Sequence, residues 1–80
     1  METKKVYVEV TAKFDLNGNI QPLSLLWKDG REYEISKIKD IRPAVSLKAG
    51  GAGMRYICTF DSVERYLFLE ENKWFVEVGV

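Results

Sequence analysis

The chain has 80 residues, with 12 Lys and Arg balanced by 12 Asp and Glu, no His and a single Cys. That length allows one small domain, residues 1–80, and 46% hydrophobic with 30% charged residues is a globular composition, neither disordered nor membranous. A lone cysteine excludes an intrachain disulfide, and without histidine no metal centre or cofactor is expected, so the core must hold the fold, helped by self-association.

Met1-Glu2-Thr3-Lys4-Lys5 leads straight into alternating apolar and polar residues. It lacks the continuous apolar run of roughly 7–15 residues that a signal peptide needs. No apolar stretch approaches the roughly 20 residues of a membrane-spanning helix. With a free thiol suited to a reducing compartment, these features predict a cytoplasmic protein with no membrane partner.

The first predicted element covers residues 5–14. Val6, Val8, Val10, Ala12 and Phe14 fall on one side of a two-residue period, and Tyr7, Glu9, Thr11 and Lys13 on the other. Such alternation, rich in β-branched side chains, is a half-buried strand. Asp15-Leu16-Asn17-Gly18-Asn19 supplies a hairpin turn through its Asn-Gly pair. Residues 20–28 form the next strand, with Leu23, Leu25 and Trp27 in phase and Pro22 restricted to a strand start or an edge. Lys28-Asp29-Gly30-Arg31 turns the chain into a third strand carrying Tyr33 and Ile35.

Ile38 and Ile41 break the phase of that third strand. A bulge or bend near Ser36-Lys37 restores it; a short helix over residues 36–42 is the alternative, since 35, 38 and 41 are spaced by threes. Pro43 and Ala49-Gly50-Gly51-Ala52-Gly53 then predict a long glycine-rich loop over residues 42–53, with a short turn around Ala44 to Leu47. Alternation resumes at Met54, with Tyr56, Cys58 and Phe60 on its face. Asp61-Ser62 and Glu70-Glu71-Asn72-Lys73 turn the chain twice more, into strands over 63–69 and 74–80. About six short antiparallel strands without a secure helix predict an all-β fold. The expected architecture is a small barrel, Src-homology-like or a curled meander, which covers its own apolar face and removes free edges.

Three segments carry a resemblance. Leu25-Leu26-Trp27-Lys28-Asp29-Gly30-Arg31-Glu32-Tyr33-Glu34-Ile35, Tyr66-Leu67-Phe68-Leu69 and Trp74-Phe75-Val76-Glu77-Val78 together look like a group of short bacterial all-β proteins, a domain of unknown function. The likeness covers most of the chain. It implies a bacterial, Gram-positive origin and an all-β fold, and it carries over no catalytic or binding residue.

Catalysis is not expected. Histidine, the commonest general acid or base, is absent, and Glu9, Glu32, Glu34 and Glu77 alternate with apolar residues as solvated strand faces. Cys58 shares its phase with Met54, Tyr56 and Phe60, which makes it a core residue rather than a nucleophile. Gly50-Gly51-Ala52-Gly53 lacks the Lys-Ser/Thr ending of a phosphate loop.

Binding remains, in two versions. Residues 28–55 hold seven bases against four acids, and no acid lies between Asp40 and Asp61, so Arg42, Lys48 and Arg55 around the expected loop are candidate anion or partner contacts. Tyr33 or Tyr56 could add a stacking face for nucleic acid. Against this, phosphate recognition rests on a basic excess that the neutral chain lacks, and the aromatic residues, Trp27 and Trp74 included, are accounted for as core. The other version is a protein-interaction or self-assembly module. Leu26, Ile57, Leu67 and Phe75 lie opposite core residues in segments apolar on both faces, and exposed apolar side chains mark an interface, a homodimer being the simplest. This second version is the expected function, with nucleic-acid binding through residues 42–55 as the alternative. A small-molecule ligand in the barrel mouth stays open.

Overall fold

The computed structural model describes residues 3–45 and 52–79. Among these residues there are seven strands: β1 (Thr3–Phe14), β2 (Ile20–Leu26), β3 (Glu32–Glu34), β4 (Lys37–Val45), β5 (Ala52–Phe60), β6 (Val63–Glu70) and β7 (Lys73–Gly79). They lie in the order β3-β2-β1-β7-β6-β5-β4, every neighbouring pair antiparallel, and the sheet curls into a half-barrel. Among the described residues no helix is long and apolar enough to cross a membrane.

Tight turns set the registers. Asp61-Ser62 and Glu71-Asn72 have positive φ at both residues, between 52° and 64°, the two-residue geometry whose twist matches that of the strands it joins. At the β1–β2 hairpin the Asp15 carboxylate accepts from the amides of Asn17 and Asn19, both at 2.9 Å, and Gly18 takes φ 83°. These bonds to the ionised form hold the Asp15 carboxyl below its usual range.

The third expected strand is two. β3 pairs with β2 and β4 pairs with β5, so one continuous segment ties the two ends of the sheet together. At the corner the amide of Ile35 donates to the Leu23 carbonyl and that of Ser36 to the Thr59 carbonyl, each at 2.9 Å. A second irregularity follows: Ile38 faces Cys58 and Asp40 faces Ile57, leaving Lys39 as the extra residue of a bulge. Each irregularity adds one residue to the two-residue period. That is why 35, 38 and 41 are spaced by threes in a strand, and why the helix over 36–42 does not form.

β2 also bulges. Ala12 faces Pro22 and Thr11 faces Ser24, so Leu23 is the extra residue. Leu23 is turned outward instead of sharing the face of Leu25, and Pro22 is buried in its place. Phe14, expected on the buried face of β1, is 74% exposed at the hairpin end.

The glycine-rich loop is shorter than its composition suggests. Residues 42–45 belong to β4 and 52–55 to β5, with Pro43 opposite Met54. The tight turn at Asp61-Ser62 makes Phe60 and Val63 a hydrogen-bonded pair. Alternation from there puts Met54 in a position whose hydrogen bonds run to β6, so Pro43 lies on the edge strand where its missing donor breaks no ladder bond. Lys48, with residues 46–51, lies outside the described residues.

The core is a single cluster of Leu25, Tyr56, Cys58, Phe60, Leu67 and Val76, edged by Val8, Trp27, Tyr33, Ile38 and Trp74. Tyr56 packs at a tilt against Trp74, ring centres 5.3 Å apart, and donates its hydroxyl to the Ile20 carbonyl at 2.8 Å, so its buried polar atom is satisfied. Cys58 is completely buried, and burial pushes its thiol up to about 11.

Candidate binding cleft between β6 and β7

The ladder between β6 and β7 stops early. Glu70 faces Lys73, Leu69 faces Trp74 and Phe68 faces Phe75, and there the pairing ends. β6 stays with β5 along its whole length, down to Phe60 opposite Val63, while β7 stays with β1, down to Thr3 opposite Gly79. Each strand follows its longer ladder, and the twist between the two ladders carries them apart. A cleft of about 500 Å³ opens between the strands. Trp27, Tyr33, Phe60, Val63, Val76 and Val78 give it an apolar lining, and Tyr66, Phe68 and Glu77 stand on its outer lip.

Backbone alternation decides what faces this cleft. The turn at Glu71-Asn72 makes Glu70 and Lys73 a hydrogen-bonded pair, so Phe68 with Phe75 is another. Continuing the alternation, Glu64 and Tyr66 of β6 and Glu77 and Gly79 of β7 direct their N–H and C=O groups into the cleft, beyond the last paired residues. Two strand edges are therefore open inside the sheet itself, beside an apolar cavity.

One charge sits on the inner side of β6. Arg65 shares the phase of Val63, Leu67 and Leu69, and its guanidinium lies 5.0 Å from the centre of the Phe60 ring. Among the described residues no carboxylate is within ion-pair distance of it. Asp61 and Glu77 also line the cleft without reaching that guanidinium. Glu77 accepts from the Thr3 hydroxyl at 2.9 Å, and Asp61 is one of the groups that, after Tyr33 and Asp29, hold the Arg31 guanidinium more basic than usual.

The outer face carries a different arrangement. Register places Arg42, Arg55, Phe68, Phe75 and Tyr7 in one row across β4, β5, β6, β7 and β1. Phe68 and Phe75 stack at 5.0 Å with an angle of 7° between the rings, and Tyr7 lies 5.7 Å from Phe75. Arg42 is bound by Asp40. Arg55 lies over Tyr66 at 5.0 Å, its Nε buried without a partner.

Arg42 and Arg55, expected in and beside a glycine-rich loop, are thus cross-strand partners within the sheet. Of the four apolar residues expected at the surface, Leu67 is a core residue with no exposure and Phe75 is covered by its ring neighbours and by Lys5. Leu67 moves inside because the Asp61-Ser62 turn puts it opposite Tyr56. Leu26 stays exposed and Ile57 half-exposed. Sequence reasoning passed over Arg65, whose signal was legible: a charge in phase with Val63, the buried Leu67 and the half-buried Leu69.

No protein-family model, curated protein or solved structure matches the chain. Among the described residues no group of three or more carboxylates and thiols is disposed to hold a metal.

Proposed function

We propose that this is a non-catalytic protein-interaction module that binds an extended polypeptide segment in the cleft between β6 and β7. One observation carries the reading: the β6–β7 ladder ends at Phe68 opposite Phe75 and leaves two backbone edges open over an apolar cavity. An added strand supplies main-chain partners to Glu64, Tyr66, Glu77 and Gly79 while its alternate side chains enter the cavity, the mode of recognition known as β-augmentation. Val63 and Tyr66, 47% and 51% exposed, are the apolar groups it covers first. The resemblance to short bacterial all-β proteins contributes the expected origin and no site residue.

The test is affinity capture from a lysate of the source cell, with and without nuclease, using the wild type and Val63→Lys in parallel. A defined protein held by the wild type after nuclease treatment and lost by Val63→Lys supports the cleft. Slowed amide exchange at Tyr66 and Glu77 in the complex places the partner there. If the wild type sediments as a dimer that Val63→Lys dissociates, the occupant is a second copy of the chain.

A second reading, nucleic-acid binding, draws on the Arg42–Arg55–Phe68–Phe75–Tyr7 row. It is the weaker one. Phe75 is covered, Asp40 neutralises Arg42, and Glu70 takes Lys5 at 3.8 Å, so few stacking faces and free cations remain. Recovery of nucleic acid, with protein lost on nuclease treatment, would favour it over the cleft.

A further inference from the structure

We infer that the segment taken up by the cleft is acidic at its centre, with a carboxylate side chain between two apolar ones at alternate positions, and that Arg65 selects it. This inference rests on the cleft reading above and adds to it the chemistry of the partner.

The inner side of β6 presents Val63 and Arg65 to the cleft, over a floor of Phe60, Val76 and Val78. Arg65 is the cation of this lining, and it lies on an aromatic ring rather than against an acid. Asp61 and Glu77 also line the cleft, but neither is within ion-pair distance of Arg65, so among the described residues its guanidinium has no carboxylate partner. An arginine whose planar fork is free accepts a carboxylate through two parallel N–H donors, and the apolar surroundings strengthen that bond.

Strand geometry fixes where the carboxylate sits. An incoming strand antiparallel to β6, the more stable pairing, bonds to the main chain of Glu64 and Tyr66. Arg65 then belongs to a non-hydrogen-bonded pair, in which opposed side chains approach most closely. The peptide residue opposite Arg65 shares its face, and the residues two positions to either side of it meet Val63 and Val76. The complementary pattern is apolar, any, acidic, any, apolar.

The experiment is selection of a phage-displayed random peptide library on the full-length wild type and, separately, on Arg65→Glu. Selected peptides are then titrated as synthetic fluorescent peptides by anisotropy. On the wild type, peptides with Asp or Glu between two apolar positions should be enriched. Changing that acid to Lys should weaken binding by at least roughly tenfold. On Arg65→Glu the preference should reverse to Lys, and on Arg65→Gln it should vanish with binding retained. Arg65 is exposed, and circular dichroism of both variants shows whether they keep the fold. Enriched peptides without an acidic preference, or the same preference on Arg65→Glu, overturn the selection by Arg65 and leave the cleft standing. No enrichment on the wild type overturns both.

Discussion

Cys58 shows what burial does to a single ionisable group. The folded thiol keeps its proton to about pH 11, whereas an exposed one releases it near 9.0. The folded state therefore binds more protons than the unfolded state across that interval, and wild-type stability falls as pH rises through it. Cys58→Ala should cost about 1 kcal/mol at pH 7 through lost packing and lack this alkaline loss, so the gap between the two proteins narrows from pH 9 to 11 in urea titrations. Native Cys58 should also resist thiol reagents until the protein unfolds. Trp74 and Trp27 are half-buried. Trp74→Ala, which strips the ring from Tyr56, should cost about 2–3 kcal/mol, below the roughly 3–5 of a fully buried aromatic. Trp27→Ala should cost less and should weaken binding in the cleft, because that ring is part of the lining.

At the scale of an element, β4 depends on its bulge more than on the side chain that forms it. Lys39 reaches Glu64 at 2.7 Å, but both groups are about half exposed and such a pair contributes little. Lys39→Ala should change stability by less than about 0.5 kcal/mol. Deleting Lys39 should cost more, about 1–2 kcal/mol, and leave unfolding cooperative. The deletion sets Ile38 and Asp40 side by side opposite Cys58 and Ile57, so Ile41 and Pro43 keep their face and only the local bend is lost. Thermal denaturation of the two variants separates the side chain from the backbone irregularity.

The whole molecule is two ladders, β3-β2-β1-β7 and β6-β5-β4, joined at the Glu71-Asn72 turn and at the Ile35-Ser36 corner and open between β6 and β7. The cleft is a consequence of this connectivity and is remote in the strand order from the connection between β4 and β5. Replacing residues 45–52 by Asn-Gly, which fits a two-residue hairpin between the hydrogen-bonded pair Ala44 and Gly53, should leave peptide binding by the cleft unchanged. A loss of binding with the fold intact would return the function to the basic connection that the sequence pattern favoured.

Local residue chemistry determined the all-β class, the turns and most of the core. The two-residue period in β1, β5 and β7, Asn17-Gly18 and Asp29-Gly30 with their positive-φ glycines, and the burial of Cys58 all follow from neighbours within a few positions. Tertiary structure decided the rest. The bulges at Leu23 and Lys39 answer to the partner strand's register, and they turned Leu23 outward and made a strand of a spacing that also suits a helix. Pro43 reads as a strand breaker until its strand is known to be an edge. The cleft had no signature at all, because an unpaired strand edge is a relation between β6 and β7. Periodicity records which face of a strand is apolar, but it does not record whether the strand beside it stays within hydrogen-bonding distance.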